Sequence, residues 1–330
     1  MFKPGSIGLC LVFSLFLTQC RTNPPYQGEN PLKSPEKKSV LLANGEKYAY
    51  LEQGGDAADP RSAGEIILLL HGNSSSSVHF LPLFERLAGV HLIAPDMRGF
   101  GDSSYKTGIS SLADLAEDLK LFTSALGISK VRVVGWSLGG GIAFELAADY
   151  PDLVSSLFIV QGVSYKGYPV FKRNTDGSVT PYPGKKAMAE DPFLVPVLSA
   201  YRKQKASFFD RIWGTTIYTV NKPSAEENRL YIAETLKQRN FIDVTWALAN
   251  FNLSEEHNGY VQGSGGIAKI GIPAVFTYGL KDMTVPPAVV RENASVIRGS
   301  AILEYENCGH SPLVDCPDRL AEDILAWIGG

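Results

Sequence analysis

Short apolar runs alternate along the chain with longer segments in which apolar residues recur at helical spacing. Strands that are apolar on both faces are typical of a parallel sheet covered by helices on both sides. The runs that predict such strands are Ile66–Leu70, Val90–Ala94, Val131–Val134, Leu157–Val160, Ala274–Tyr278 and Ala301–Tyr305.

The segments between these runs favour helices. One apolar stripe follows three- and four-residue steps and indicates an amphipathic helix; its members are Leu112, Leu115, Leu119, Phe122 and Leu126. Ser110 or Ser111 is a candidate cap for its start. Further helices are expected from Leu138 to Tyr150, ending at Pro151, and over Leu320–Ile328. The alternation predicts an α/β fold with a doubly wound, mostly parallel sheet.

The alternation stops between residues 163 and 266. This stretch holds many aromatic residues and helical patches but few strand signals, and the glycine-rich run Gly263-Ser264-Gly265-Gly266 marks its end. We therefore expect an inserted helical cap over 163–266. The core is then formed by 39–162 and 267–330, with a first hairpin turning at Asn44-Gly45.

The N-terminus predicts export. Lys3 precedes the apolar run Ile7–Leu17, which is too short to span a bilayer but has the length of a signal-peptide core. Cys20 follows, and a Cys at this place resembles a bacterial lipoprotein processing site. That resemblance implies a signal peptide over 1–20 and a lipid anchor on Cys20; the alternative is an ordinary cleaved signal. The Pro-rich segment 21–38 predicts a flexible tether.

The composition of the chain limits the kinds of molecule that it is expected to bind. The chain has 330 residues, 45% of them hydrophobic, and a net charge of −3 without a basic run. Nucleic acid is therefore not an expected partner. No Cys/His cluster has the spacing of metal ligands, so neither a metal nor a cofactor is expected. Cys308 and Cys316 flank His310, and either a disulfide or two buried thiols fits this spacing.

The residues 135–139, Gly-Trp-Ser-Leu-Gly, follow one predicted strand and open a predicted helix. In this context G-x-S-x-G predicts a sharp turn that presents Ser137 as a nucleophile. The turn also aims the helix N-terminus and the Leu138 N–H at a developing oxyanion. A second oxyanion donor is expected from Asn73, in the loop after Ile66–Leu70, while His71 is expected to be structural.

Two further residues complete a catalytic triad in chain order. Asp282 follows the run Ala274–Tyr278, and His310 follows Ala301–Tyr305. A hydroxyl is a poor nucleophile until imidazole removes its proton, and a carboxylate orients that imidazole. Ser137, Asp282 and His310 therefore form the expected triad. The loop Asp96–Ser103 is expected to be structural, with an ion pair between Asp96 and Arg98.

These motifs resemble the α/β-hydrolase superfamily across nearly the whole predicted core. Several segments also resemble intracellular poly(3-hydroxybutyrate) depolymerases with a G-W-S-x-G-G lipase box; they are residues 135–140, 166–169, 212–218, 238–248 and 308–313. The closer resemblance implies hydrolysis of 3-hydroxyalkanoate esters by Ser137, Asp282 and His310. An export signal departs from that intracellular family. Because an exported enzyme would not meet intracellular polymer granules, the expected substrates are oligomers or other lipid-like esters.

The expected function is therefore hydrolysis of carboxylic esters with hydrophobic acyl groups through an acyl-enzyme on Ser137. Carbon–carbon bond hydrolases and lactonases use the same triad and remain alternatives. A different class of function is also open: a non-catalytic lipoprotein that binds a hydrophobic ligand. Dehalogenases and epoxide hydrolases with an Asp nucleophile do not match Ser137.

Overall fold

The computed structural model describes residues 36–54, 66–168 and 170–329. The predicted signal segment 1–20 with Cys20, and residues 21–35 of the predicted tether, lie outside the described residues. The first strand starts at Lys38 and so overlaps the end of the segment assigned to the tether. Within the described ranges, no helix has both the length and the apolar character needed to cross a membrane.

The strands of the described chain are β1 Lys38–Leu41, β2 Lys47–Gln53, β3 Ile66–Leu70, β4 Leu92–Pro95, β5 Val131–Trp136, β6 Val154–Val160, β7 Lys172–Arg173, β8 Val179–Thr180, β9 Ala274–Gly279 and β10 Ala301–Tyr305. Eight of them form one sheet in the order β1-β2-β4-β3-β5-β6-β9-β10. The strands from β4 to β10 along this order are parallel, whereas β2 runs antiparallel to both of its neighbours, β1 and β4. The predicted α/β class with a mostly parallel sheet is confirmed.

The helices of the described chain are α1 Leu81–Arg86, α2 Leu112–Ala125, α3 Leu138–Asp149, α4 Lys185–Ala189, α5 Val195–Arg202, α6 Ala206–Ile212, α7 Ala225–Leu236, α8 Phe241–Asn250, α9 Pro287–Val296, α10 Pro312–Asp315 and α11 Pro317–Gly329. Two 3₁₀ turns lie at Ser77–Phe80 and Gly266–Lys269, and a π-helical turn lies at Trp213–Ile217. The apolar pattern of the sequence does not predict α1 or α9.

Helix α2 shows how local sequence sets these bounds. The Ser111 hydroxyl accepts a hydrogen bond from the Asp114 N–H, and the Asp114 carboxylate accepts one from the Ser111 N–H. This reciprocal capping box satisfies two donors that a helix start leaves unpaired. The apolar stripe from Leu112 to Phe122 is buried in the same core cluster as residues of β3 and β5, as its spacing predicts.

The run Val90–Ala94 becomes a strand later than expected. The Val90 N–H donates to the Leu87 carbonyl at 3.0 Å and closes a turn after α1, so β4 starts only at Leu92. The strand then continues to Pro95. A turn that uses the backbone donor of Val90 leaves that residue outside the sheet ladder.

The segment 163–266 leaves the sheet after β6 and returns before β9. It contains the helices α4 to α8, and also the short antiparallel hairpin β7–β8, which the sequence did not reveal. Two of its contacts with the core fall on the loops that follow β3 and β4. The Thr235 hydroxyl donates to the Ser74 carbonyl at 2.7 Å, and the Asn240 amide donates to the Arg98 carbonyl at 2.6 Å. The helices of this segment are thus held above the carboxyl ends of the parallel strands, where ligands of such sheets bind.

The expected ion pair between Asp96 and Arg98 is wrong. Arg98 instead forms two hydrogen bonds, at 2.6 and 2.5 Å, with the buried carboxylate of Asp118 on α2. Asp96 accepts hydrogen bonds from the Ser77 N–H and hydroxyl, at 2.9 and 2.6 Å. The forked guanidinium matches a carboxylate in two-point geometry, and the fold brings Asp118 rather than Asp96 into that position.

Three carboxylates meet around the ammonium of Lys37. Its Nζ lies 2.7 Å from Asp96, 2.8 Å from Glu234 and 2.9 Å from Asp102, and its side chain is 6% exposed. Burial alone would lower the pKa of Lys37, but the charges of Asp96 and Glu234 outweigh it and raise the pKa. The ammonium therefore supplies the cation in a group of acids that would otherwise offer metal ligands. Because Asp96 follows β4 and Glu234 lies on α7, Lys37 joins the core to the cap.

We expect Lys37→Met to lower the free energy of unfolding by about 3–5 kcal/mol, because it leaves the buried carboxylate of Asp96 without its cation, whereas Glu234 keeps its ion pair with Lys237 at 2.6 Å. The matched control is Lys38→Met. Lys38 pairs with Glu52 at 2.6 Å but its side chain is 62% exposed, so its loss should cost no more than about 1 kcal/mol. Urea unfolding of both variants measures the difference. Equal destabilisation by the two changes would contradict the assigned role of Lys37.

Candidate active site

Ser137 lies in the turn between β5 and α3 with φ 56° and ψ −116°. This positive-φ conformation costs of order 1–3 kcal/mol for a residue with a side chain and is often retained at functional sites. The glycines on either side permit it. A Cβ on Gly135 would lie 2.6 Å from the Gly139 carbonyl oxygen, and one on Gly139 would collide with the Leu70 carbonyl. The G-x-S-x-G pattern is therefore needed for the close approach of strand, turn and helix.

The structure brings the three predicted triad side chains into one hydrogen-bonded array. The Ser137 Oγ lies 2.9 Å from His310 Nε2, and His310 Nδ1 lies 2.8 Å from Asp282 Oδ2. Because a carboxylate only accepts, Nδ1 carries the proton and Nε2 presents its lone pair to the Ser137 hydroxyl. The Asp282 carboxylate is held in turn by the N–H groups of Thr284 and Val285, at 2.7 and 2.9 Å.

The loop that carries His310 is fixed by residues that sequence reasoning had not assigned. The Trp136 indole N–H donates to the His310 carbonyl at 2.8 Å. The Gln161 amide donates to the Gly309 carbonyl at 3.3 Å, and the Gly309 N–H donates to Asp315 at 2.7 Å. Trp136 immediately precedes Ser137, so one short segment positions both the candidate nucleophile and the candidate base. Its place beside Ser137 was the only sequence signal for this role.

The two predicted oxyanion donors lie on either side of Ser137. Leu138 is the first residue of α3, where a backbone N–H has no partner within the helix. The loop after β3 passes directly against the nucleophile, since a Cβ on Gly72 would lie 3.3 Å from the Ser137 Cβ. The Asn73 side-chain oxygen is engaged by the Ser74 N–H at 3.0 Å and by the Gln238 amide at 2.8 Å. These bonds fix the side chain of Asn73, and its backbone N–H is the candidate donor.

His71 stabilises the loop after β3 through two hydrogen bonds to backbone groups. The Met97 N–H donates to its Nε2 at 3.1 Å, so its Nδ1 carries the proton and donates to the Gly72 carbonyl at 2.8 Å. Burial lowers the pKa of His71 to about 4, which keeps the ring neutral. The geometry agrees with the structural role that the sequence indicated.

A stack of aromatic rings that sequence reasoning missed lies beside the site. The His79 ring lies between Tyr231 and Trp213, with centroid distances of 4.7 and 5.1 Å, and Trp136 lies 6.2 Å from His79 and from Trp213. Burial lowers the pKa of His79 to about 3. The neutral His79 ring packs as an aromatic ring on Tyr231 and Trp213. These contacts connect the turn after β3 to α7 and to the π-helical turn at Trp213.

A cavity of about 170 Å³ opens at Ser137 and His310 between the core and the cap. Its core side is formed by the loops around Gly72 and Thr284. Its cap side is mostly apolar and comprises Tyr168, Val170, Val197, Phe209, Ile212, Trp213, Thr216, Ile217, Phe241, Thr245 and Leu248. Four of these residues are aromatic, and most of the aromatic residues of segment 163–266 do not line the cavity.

A family model described as alpha/beta hydrolase fold matches residues 65–317. The chain therefore belongs to the α/β-hydrolase family. It is 26% identical to Lipase 1 of Psychrobacter immobilis, over 96% of this chain and 94% of that protein. It is also 26% identical to Lipase 3 of Moraxella sp. (strain TA144), over 98% of both chains. The solved structure of an esterase from Exiguobacterium antarcticum covers 89% of this chain and 100% of its own, with a TM-score of 0.67 at 19% identity.

We expect Asp282→Asn to lower kcat for a p-nitrophenyl ester by about 10⁴-fold, because an amide at this place favours the wrong tautomer of His310. Steady-state kinetics measure the effect, and thermal unfolding verifies the fold. Asp149→Asn, at the exposed end of α3, is the control and should keep wild-type activity. A loss below tenfold in Asp282→Asn would show that this carboxylate does not orient the base.

Proposed function

We propose that this chain is a serine esterase that cleaves carboxylic esters through an acyl-enzyme on Ser137. The observation that carries the proposal is the continuous Ser137–His310–Asp282 array at the mouth of an apolar cavity. The kinship with two lipases along nearly the whole chain supports the same class of reaction.

The geometry supports a two-step acyl transfer. His310 Nε2 takes the proton of Ser137 as its Oγ attacks the ester carbonyl, and the tetrahedral oxyanion is stabilised by the N–H groups of Asn73 and Leu138. His310 then gives the proton to the leaving alkoxide, which departs as the alcohol. A water molecule attacks the acyl-enzyme by the same route and releases the acid and free Ser137.

The size of the cavity favours short acyl groups. An apolar cavity of about 150 Å³ holds a benzene molecule, and the cavity beside Ser137 measures about 170 Å³. Acyl chains of roughly four to six carbons therefore fit without rearrangement of the cap. Each buried methylene contributes about 0.8 kcal/mol, or roughly fourfold in kcat/KM when the contact persists in the transition state.

A 3-hydroxyacyl ester is the narrower substrate that we propose within this class. Two threonines, Thr216 and Thr245, are among the residues that line the mostly apolar cap side of the cavity. Each donates its proton to a backbone carbonyl of its own helical segment, Ile212 or Phe241, at 2.7 Å. Each oxygen therefore keeps lone pairs that accept a hydrogen bond from a substrate hydroxyl. The resemblance to 3-hydroxybutyrate depolymerases supports the same choice.

The nucleophile is tested with wild type and Ser137→Ala. A fluorophosphonate probe should label the wild type only, and Ser137→Ala should lose about 10⁶-fold in kcat. Retained activity in Ser137→Ala would refute the proposal. Absence of labelling and of turnover in the wild type would favour the alternative of a non-catalytic ligand-binding protein.

A substrate panel separates the remaining alternatives. It contains p-nitrophenyl esters from acetyl to decanoyl, a 3-hydroxybutyrate dimer, a lactone, and a vinylogous 1,5-diketone for carbon–carbon bond cleavage. We expect kcat/KM to rise to butyryl or hexanoyl and then to fall, and the dimer to be cleaved. Preference for the lactone or the diketone over every open-chain ester would overturn the esterase assignment.

The cap is expected to set this chain-length limit. Phe209 lines the cavity and is buried, whereas its neighbour Phe208 does not line it. Phe209→Ala should enlarge the cavity and move the optimum to longer acyl chains, while Phe208→Ala should leave the optimum unchanged. The same optimum in wild type and both variants would show that Phe209 does not limit the acyl chain.

We also propose that the protein is exported and anchored to a membrane by a lipid on Cys20. The proposal rests on Lys3, the apolar run Ile7–Leu17 and the position of Cys20. In the native host the protein should fractionate with membranes, and Cys20→Ser should release it or leave it unprocessed. Cytosolic protein that retains Met1 would contradict the proposal.

A further inference from the structure

Two cysteines lie on either side of His310, and neither takes part in the proposed reaction. Their sulfur atoms are 3.0 Å apart, which is about 1 Å longer than a covalent S–S bond. Cys308 is fully buried, whereas Cys316 is partly exposed. We propose that Cys308 and Cys316 are a site of disulfide formation, and that this disulfide staples the loop that carries His310.

Cys308 lies where the two catalytic loops meet. Its carbonyl accepts a hydrogen bond from the Lys281 N–H at 3.0 Å, next to Asp282. The backbone of Gly279 packs closely against the Cys308 and Gly309 carbonyls, so that even a Cβ at Gly279 would collide with them. A covalent bond to Cys308 therefore restrains the His310 loop and, through it, the turn that holds Asp282.

Cys316 provides a rigid attachment at the other end. It separates α10 from α11, and its carbonyl accepts the Leu320 N–H at 3.1 Å in the first turn of α11. Leu320 and Ile324 of helix α11 are buried in the same core cluster as residues of β3, β5 and β6. The disulfide would thus tie the loop after β10 to a helix of the core, across a span that already includes the hydrogen bond from Gly309 to Asp315.

The environment decides which sulfur reacts first. The hydrogen bond from Cys316, together with burial, raises the pKa of Cys308 and keeps this thiol protonated. The accessible Cys316 is therefore the sulfur that meets an external oxidant, which we take to be a disulfide such as that of a thiol oxidoreductase or oxidised glutathione.

The exchange proceeds in two balanced steps. The Cys316 thiolate attacks the external disulfide and expels one thiolate of the oxidant, which forms a mixed disulfide. Cys308 then loses its proton and attacks the Cys316 sulfur, and the second oxidant thiolate leaves. Two protein thiols are oxidised and one external disulfide is reduced to two thiols. Such bonds persist in the oxidising compartments to which exported proteins go.

The bond is tested directly by thiol labelling of the full chain. The purified protein is treated with oxidised glutathione or with a phosphine reductant, denatured, and alkylated, and its peptides are then mapped. We expect the 308 and 316 peptides to be cross-linked and unlabelled after oxidation, and both to be labelled after reduction. Labelling of both cysteines after oxidation would overturn the proposal. Because this readout needs no substrate, its failure is distinct from failure of the proposed esterase activity.

The stapling role has its own readout. Reduction should lower the melting temperature of the wild type by roughly 3–8 °C, because the bond no longer restrains the unfolded chain. Cys316→Ser should melt like the reduced wild type and should not respond to reductant, while Cys20→Ser, the control, should respond as the wild type does. Oxidised protein should also keep esterase activity longer on heating than reduced protein. A disulfide that forms without changing either quantity would contradict the stapling role.

Discussion

The site depends on one constraint, the positive-φ conformation of Ser137 between β5 and α3. A residue with a side chain adopts it only where the neighbouring backbone holds it there. Here the strand, the turn and the loop after β3 approach so closely that Gly135 and Gly139 cannot carry a Cβ. The strain fixes the Ser137 Oγ against His310, and it places the N–H of Leu138 at the start of α3.

The rest of the molecule holds partners around that turn. The indole N–H of Trp136 donates to the His310 carbonyl and so positions the His310 loop. The Trp136 ring also contacts the rings of His310 and of Trp213 in the cap. Gln238 of the cap holds the Asn73 side chain, so the cap also orders the loop proposed to stabilise the oxyanion. Lys37 joins Asp96 of the core to Glu234 of the cap. Because the cap both bounds the cavity and supports the catalytic loops, changes in its packing should affect specificity and rate together.

Local patterns were sufficient to predict the sheet and the order of the site residues. The apolar runs, the capped start of α2 and the glycines around Ser137 each express a requirement of their own segment. Long-range partners could not be predicted in this way. Arg98 pairs with Asp118 on α2 rather than with Asp96 two residues away, and Lys37 is buried although it lies in a stretch that reads as a tether. Such choices depend on where loops from distant segments meet.

The proposed reaction requires Ser137 to carry the acyl group during turnover. Rapid-quench mass spectrometry of the enzyme mixed with p-nitrophenyl butyrate can detect this adduct. We expect the peptide containing Ser137 to gain one butyryl group transiently, and this adduct to decay at the rate of steady-state turnover. Ester hydrolysis with no acylated peptide at any time, or with the butyryl group on another residue, would contradict it.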